Sequence, residues 1–314
     1  MITLLGSLNT DLVLQTEHIP AEGETVLGRD FRTFPGGKGG NQAVAAARLG
    51  SELQMIGAVG RDERGSFLLQ LLEDEGIGIS LIHKSELPTG LAMIMVDQKG
   101  RNAIAVAPGA NLALEEEQLA EAGPYLKESS ILLAQLESPL DFVERVIVTA
   151  KSAGLRVILN PAPAVPLHRG LLSATDILTP NETELSILSG GLPTFSVEDC
   201  ERAGKLLLQQ GVRQLIVTRG SEGCLYLDEN TLRTFPAYTV KPLDTTAAGD
   251  CFNGALAAKL DQDAEIFEAI DFAMKAAAIS VTRQGAQPSL PRLEELIHFD
   301  TWYEKQTSAR EKEC

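Results

Sequence analysis

Ile131-Leu-Leu-Ala-Gln-Leu-Glu-Ser138, Arg156-Val-Ile-Leu-Asn-Pro-Ala-Pro163, Asp176-Ile-Leu-Thr-Pro-Asn-Glu-Thr-Glu184 and Leu215-Ile-Val-Thr-Arg-Gly-Ser-Glu-Gly223 are built alike. Each is a compact apolar run that ends in polar residues. The apolar parts, 131–136, 156–159, 176–178 and 215–218, have the length of buried strands. Helical patterns lie between them; residues 196–210, for example, start at an N-cap Ser196 and stop at Gly211. Such alternation predicts an α/β fold, a central mainly parallel sheet with helices on both faces. Ligands of open α/β sheets bind beyond the strands' carboxyl ends. Gln135, Glu137, Asn160, Asn181 and Glu184 fall there.

Toward the N-terminus, residues 2–5 form the first core strand, and Gly6-Ser-Leu-Asn-Thr-Asp11 follows it. Asn9 and Asp11 suit either a ligand or a turn, because both side chains bond their own backbone. Residues 12–14 and 25–34 have mixed polarity and break the alternation. With a hairpin of 89–96 and 102–107 around Asp97-Gln-Lys-Gly100 they predict a small β-sheet lid. Its exposed outer face, with Phe31 and Ile104, suits closure on a second subunit. Pro35-Gly-Gly-Lys-Gly-Gly-Asn41 opens a helix at 42–49 that Gly50 ends; 53–59 is a strand and 61–75 a helix ended by Gly76. The expected division is a main α/β domain of residues 1–11, 35–88 and 107–303, a lid of 12–34 and 89–106, and a charged, frayed tail of 304–314.

Composition narrows the function. The 314 residues carry 43 acidic and 27 basic side chains, a formal net charge of −16. Nucleic acid and anionic membranes are thereby excluded as partners, since their phosphates would be repelled. Cys200, Cys224, Cys251 and Cys314 are too widely spaced for a zinc motif and form no disulfide framework, which points to a reducing compartment. Cys251 reads as a small buried residue rather than a nucleophile. No run reaches transmembrane length and no basic segment precedes an apolar one, so the expected location is the cytoplasm.

Chemistry concentrates in Asp244-Thr-Thr-Ala-Ala-Gly-Asp-Cys-Phe-Asn-Gly254, where small residues lead into an Ala-rich helix at 250–260. First-turn amides lack intrahelical partners, and the helix dipole adds positive charge, so an anion is welcome there. Asp250 in that turn is either a helix-start acid or a base that takes a proton from a hydroxyl attacking a phosphoryl group. The glycines of 35–41 let a flat ligand lie on backbone amides, or simply make a turn; the P-loop spacing is absent. Thr218 to Gly223 is a Gly-rich turn that suits phosphates. Asn181 and Glu184 fit a capping box, or they hold a hydrated Mg²⁺. Gln284-Gly-Ala-Gln-Pro-Ser289 ends a helix at 264–283 and offers carbonyls to an ion or a nucleotide base.

Together, Gly36-Gly-Lys-Gly-Gly-Asn41, Gln135-Leu-Glu-Ser138, Asn160-Pro-Ala-Pro163, Pro180-Asn-Glu-Thr-Glu184 and Asp244 to Asp250 resemble the ribokinase branch of the ribokinase-like carbohydrate kinases, over nearly the whole chain. The wider superfamily usually has Gly where this chain has Ala247, and Ala resembles the ribokinase branch in particular. The resemblance implies ATP-dependent phosphorylation of D-ribose at its 5-hydroxyl. It implies a sugar site of Asn9, Asp11, Gly37, Lys38, Asn41 and Glu137, with Asp250 as general base. The amides of Ala247, Ala248 and Gly249 become the anion hole, and Asn181, Thr218, Gly220, Ser221 and Gly223 join Ala248 and Gly249 in contacting ATP. Mg²⁺ is placed through water by Asn181 and Glu184. A monovalent cation, K⁺, takes Asp244, Thr246, Ser280, Arg283, Gly285 and Ser289, mostly through backbone oxygens. A homodimer joined lid to lid is implied as well.

Two rival readings stay open. The same chemistry can act on another sugar, 2-deoxyribose first, then a ketohexose or nucleoside. A non-catalytic sugar-binding regulator can use the same fold, although the intact Asp250 and the small residues before it speak against that. A dinucleotide oxidoreductase needs Gly-x-Gly-x-x-Gly after its first strand, and Gly6 to Asp11 does not supply it.

Overall fold

The computed structural model describes residues 1–313, with side chains to Thr307. Its strands in chain order are β1 (Ile2–Leu5), β2 (Asn9–Gln15), β3 (Asp30–Gly36), β4 (Leu53–Gly60), β5 (Ile82–Ser85), β6 (Gly90–Val96), β7 (Asn102–Ala107), β8 (Ile131–Ala134), β9 (Arg156–Leu159), β10 (Ile177–Leu178), β11 (Gln214–Thr218), β12 (Cys224–Leu227) and β13 (Leu232–Phe235). Nine of them form one sheet in the order β13-β12-β11-β10-β9-β8-β1-β4-β5. It is parallel from β11 to β5, and β12 and β13 close one edge antiparallel. The remaining four make a second sheet, β3-β2-β6-β7.

Side chains alternate across a strand, so an all-apolar strand must be buried on both faces. Ile131 and Leu133 enter one core, and Leu132 and Ala134 the other; Ile158 faces away from Val157 and Leu159. Helices Lys38–Arg48, Ala248–Asp261 and Ile266–Ser280 cover the first layer, and Glu116–Glu128, Leu140–Ser152 and Val197–Gln209 the second. The Val197–Gln209 helix starts as its sequence predicts, the Ser196 hydroxyl accepting from the Asp199 amide at 3.1 Å. Polar strand ends therefore converge on one edge of a rigid sheet.

Several boundaries differ from expectation. Asn9 and Asp11 lie within β2 rather than in a turn. The strand expected at 25–34 starts at Asp30, because its partner β2 ends at Gln15, which pairs with Asp30. The helix expected at 42–49 already begins at Lys38. Glycine disfavours helix interiors, but a Cβ on Gly39 would lie 2.5 Å from the Gly6 carbonyl carbon and 2.6 Å from the Ser7 amide. Packing against the end of β1 decides the matter. The segment after Tyr303, expected to fray, continues a helix that runs Phe299–Glu313. Its start is anchored where Tyr303 stacks on Phe299 at 5.6 Å and its hydroxyl accepts from the Thr239 amide.

In the second sheet, Phe31 pairs opposite Leu14, while Ile104 pairs opposite Ile94, which sits beside Val13. Phe31 and Ile104 thus occupy opposite faces, not the shared outer face expected. Asp11 is on the Ile104 face.

Candidate active site

The Ala248–Asp261 helix starts from Ala247 in the left-handed region, φ 58°. Gly adopts that conformation freely and Ala does not, so the turn is held against a small intrinsic preference. Asp250, in the first helical turn, is buried. Its Oδ2 accepts from Asn41 Nδ2 at 2.9 Å and its Oδ1 from Gln42 Nε2 at 3.0 Å. Both donors come from the adjacent Lys38–Arg48 helix. Burial raises the Asp250 pKa, against the opposing pull of Lys38, Gln42 and Asn41.

Around it the chain gathers further charge from distant positions. The Ser7 hydroxyl donates to Glu137 Oε2 at 2.5 Å, and the Lys38 amide donates to the same oxygen at 3.2 Å. Lys38 Nζ lies 4.0 Å from Glu137 Oε1. Burial works against the ammonium, but Asp250, Glu137, Glu184 and Asp11 outweigh it and raise its pKa. Asp11 goes the other way for an acid: burial, then Glu137 and Asp250, push it up to about 7 despite Lys38. A side chain at Gly36 would overlap the Asp11 carboxylate, 2.2 Å from Oδ2, so glycine there makes room for the acid. Asn9 accepts from Asn111 Nδ2 at 2.8 Å, which leaves its own amide group for a ligand.

Beyond the start of the Asp250 helix opens a cavity of about 540 Å³. Asn181, Thr218, Gly220, Ser221, Gly223, Ala248 and Gly249 all line it. Every residue expected at the nucleotide is therefore in one cavity. Val240, Met274 and Val281 form an apolar wall that sequence reasoning did not identify. Asn181 and Glu184 do make the capping box: Asn181 Oδ1 accepts from the Glu184 amide and Glu184 Oε2 from the Asn181 amide, both at 2.8 Å. Burial raises the Glu184 pKa. The Ala248 amide bonds the Thr245 carbonyl at 3.2 Å, a contact it must give up to serve an anion. A larger cavity of about 730 Å³ opens at the opposite strand ends, where Lys151 and Arg213 pair with Asp176. It holds none of the expected site residues.

The stretch expected at a monovalent cation is partly assembled. Asp244 Oδ1 accepts from the Thr246 amide and hydroxyl at 2.9 and 2.6 Å, and Oδ2 from the Gly285 amide at 2.9 Å. Burial opposes the Asp244 charge, yet these bonds outweigh it and hold the pKa below the usual value. Ser280 and Ser289 donate to the Ala277 and Ala286 carbonyls, and the Arg283 guanidinium pairs with Glu295. The side chains of these last three are thus engaged locally, and the Ser280 carbonyl already accepts from the Arg283 amide at 3.0 Å. Among the described residues, no group of three or more His, Cys, Asp or Glu side chains is placed to hold a metal ion.

Gln42 and Asn111 are not among the expected site residues, and Gln135, Asn160, Thr179 and Asn253 are expected only as strand-end or motif positions. One signal was available: a glutamine inside an Ala-rich helix whose neighbours are core residues.

Residues 1–293 match the pfkB family carbohydrate kinases. A ribokinase of Haemophilus influenzae is 40% identical over 299 residues, 95% of this chain and 97% of that protein. A deoxyribokinase of Salmonella typhi is 36% identical over 300 residues, 95% of this chain and 98% of that one. The solved structure of Arabidopsis thaliana ribokinase complexed with ribose and ATP superposes with a TM-score of 0.88 at 31% identity, over 95% of this chain and 97% of that one. The chain belongs to the pfkB family of carbohydrate kinases.

Proposed function

We propose that the chain transfers the γ-phosphoryl group of ATP to the 5-hydroxyl of D-ribose, giving ribose 5-phosphate and ADP. The observation that carries this is the place of Asp250. Its carboxylate meets Asn41 and the Asp11, Lys38 and Glu137 cluster on one side, while Ala248 and Gly249 of its own helix line the nucleotide cavity on the other. Asn9, Asp11, Gly37, Lys38, Asn41 and Glu137 bind the sugar, whose many hydroxyls suit carboxylates and amides. Asp250 takes the 5-hydroxyl proton as that oxygen bonds to phosphorus and the bond to the ADP oxygen breaks. The backbone of Ala247, Ala248 and Gly249 holds the charge on the phosphoryl oxygens. Thr218, Gly220, Ser221, Gly223 and Asn181 hold the nucleotide.

Glu184 fits a hydrated Mg²⁺: its capping bond uses one carboxylate oxygen and leaves the other, and a cation relieves the burial of the acid. The donor set at Asp244, with one ionised carboxylate and otherwise neutral oxygens from Thr246, Ser280, Arg283, Gly285 and Ser289, suits K⁺ rather than a divalent ion. When bound, Mg²⁺ supplies charge neutralisation at the phosphates and K⁺ a fixed positive charge beside the anion-hole turn. Cys200, Cys224 and Cys251 are buried free thiols, which suit the cytoplasm; Cys314 lies outside the described residues. Among those residues no helix is long and apolar enough to cross a membrane.

ADP release with Mg-ATP and a sugar panel, in K⁺ against Na⁺ buffer, tests the reading. Ribose-dependent turnover that needs K⁺ supports it; saturable sugar binding without turnover would replace it with the regulator. The Salmonella deoxyribokinase favours 2-deoxyribose as the second reading. Its test is kcat/KM for the two sugars side by side.

Ribose binding is expected to release protons between about pH 6 and 7.5. Asp11, whose pKa burial pushes up to about 7, is partly protonated there. Hydroxyls donating to it favour the carboxylate, so affinity rises with pH through this window. Calorimetry in buffers of different ionisation enthalpy measures the proton count, and Asp11→Asn should abolish it. Equal heats in all buffers for the native enzyme would contradict the assignment.

We further propose that the second sheet is a lid and the surface of a homodimer. Its Asp11-bearing face carries Ile104 and Val106, 56% and 52% exposed, with Val13 and Ile94 beside them. Ile104→Glu is expected to turn dimer into monomer and to lower activity, and Phe31→Glu, on the other face, to do less. Light scattering that finds a fully active monomer would sink this idea.

A further inference from the structure

Gln42 is fully buried, and every polar atom of its amide is engaged. Its Nε2 donates to Asp250 Oδ1 at 3.0 Å and to Asn160 Oδ1 at 3.1 Å; its Oε1 accepts from Gln135 Nε2 at 2.6 Å. An amide nitrogen has two hydrogens, and both are used. Flipping the group would aim its oxygen at two other oxygens and its nitrogen at a donor, so only one orientation is stable.

The orientation of Asn160 is likewise fixed, since its Nδ2 donates to the Thr179 carbonyl at 3.0 Å. From there the Thr179 hydroxyl donates to Asn253 Oδ1 at 2.6 Å, and Asn253 Nδ2 to the Gly249 carbonyl at 2.8 Å. The path leaves Asp250 through Gln42, crosses the ends of β9 and β10, and returns to the residue before Asp250. Gln135 Oε1 is buried without a partner among the described residues. Leaving a buried acceptor unpaired is unfavourable, and what its position secures is the donor for Gln42.

We propose that Gln42, locked by Gln135 and Asn160, is the positioning residue that aims the Asp250 carboxylate and ties it to the turn carrying the Ala248 and Gly249 amides. This deepens the reading of Asp250 as general base and rests on it. Asp250 also faces Lys38, which favours its ionised form, and Glu137, Asp11 and Glu184, which oppose it. Gln42 is thus one of few groups that stabilise the carboxylate.

Gln42→Met keeps length and removes the donor. The acid limb of the kcat–pH profile should move up by about one pH unit, the scale of one lost bond to a charged group. The kcat plateau should fall about tenfold through misaiming, with the ribose KM within about twofold. Gln135→Met leaves Gln42 in place but unlocked; it should move the limb the same way by about half as much, and it serves should Gln42→Met fail to fold. A purely structural role would lower the unfolding temperature and leave the limb unmoved. Asp250→Asn separates the two levels. If it is inactive while folded Gln42→Met and Gln135→Met keep the native limb and plateau, the positioning role is wrong and the base stands. If Asp250→Asn stays active, both fall.

Discussion

Replacing Asp250 with asparagine is expected to lower kcat by about 10²–10⁴-fold, the range for a lost general base, and to leave the protein folded. The fold tolerates it for a visible reason. Asparagine puts an NH₂ where one carboxylate oxygen stood, opposite a donor. Asn41 can answer by rotating its amide, since its Oδ1 is buried without a partner among the described residues. The oxygen facing Gln42 Nε2 then remains.

Stability should change in the opposite sense to activity. Burial raises the Asp250 pKa above its ordinary value. For an acid of this kind the folded state holds the proton more tightly than the unfolded one. Its favourable contribution is complete below the unfolded value and is lost as pH climbs through the folded one. Asp250→Asn should therefore unfold at a higher temperature than the native enzyme at neutral pH, and the difference should shrink in acid. Steady-state ADP release and thermal unfolding across pH check both halves. A variant within tenfold of native kcat would remove Asp250 from the proton path.

Much of this was legible in the chain because its signals are local. The apolar runs at 131–136, 156–159 and 215–218 announce strands buried on both faces, and polar residues at their ends announce an edge that binds ligands. The Asn181–Glu184 spacing announced a capping box, which is present. What the chain hides is register and approach. A period of two gives the faces within a strand, but only the pairing across strands tells that Phe31 and Ile104 point apart. Gln42 stands out as a polar residue in an Ala-rich helix, but its partners show only when the Ala248–Asp261 helix is laid beside it. Asn111 reaches Asn9 from a 3₁₀ turn over a hundred positions away, and no local pattern encodes that contact. β10, with only two residues, is held by its neighbours more than by its own sequence.

Gly254→Ala, one turn beyond Asp250 and packed on the Lys38–Arg48 helix, is expected to lower kcat about a hundredfold, the scale of a misplacement of about 1 Å. On an isolated helix the change would help, since alanine is favoured over glycine by about 1 kcal/mol. Here a Cβ would lie 2.5 Å from the Gln42 carbonyl oxygen and 2.6 Å from the Ala45 Cβ. Neither neighbour is the end of a flexible chain, so the Lys38–Arg48 and Ala248–Asp261 helices must part. Overpacking of that kind costs about 1–3 kcal/mol, which cancels or exceeds the propensity gain and makes the net loss of stability modest. The expected catalytic effect is larger because the pair of helices aims the Asp250 carboxylate, the proposed base. Asn41 and Gln42 sit on one helix and Asp250 on the other, joined by bonds of 2.9 and 3.0 Å that parting would stretch beyond use. Kinetics and thermal unfolding on the same preparation separate the two effects. A folded variant with native kcat would mean that the helices can part without disturbing the carboxylate, and that the fit at Gly254 serves the core alone.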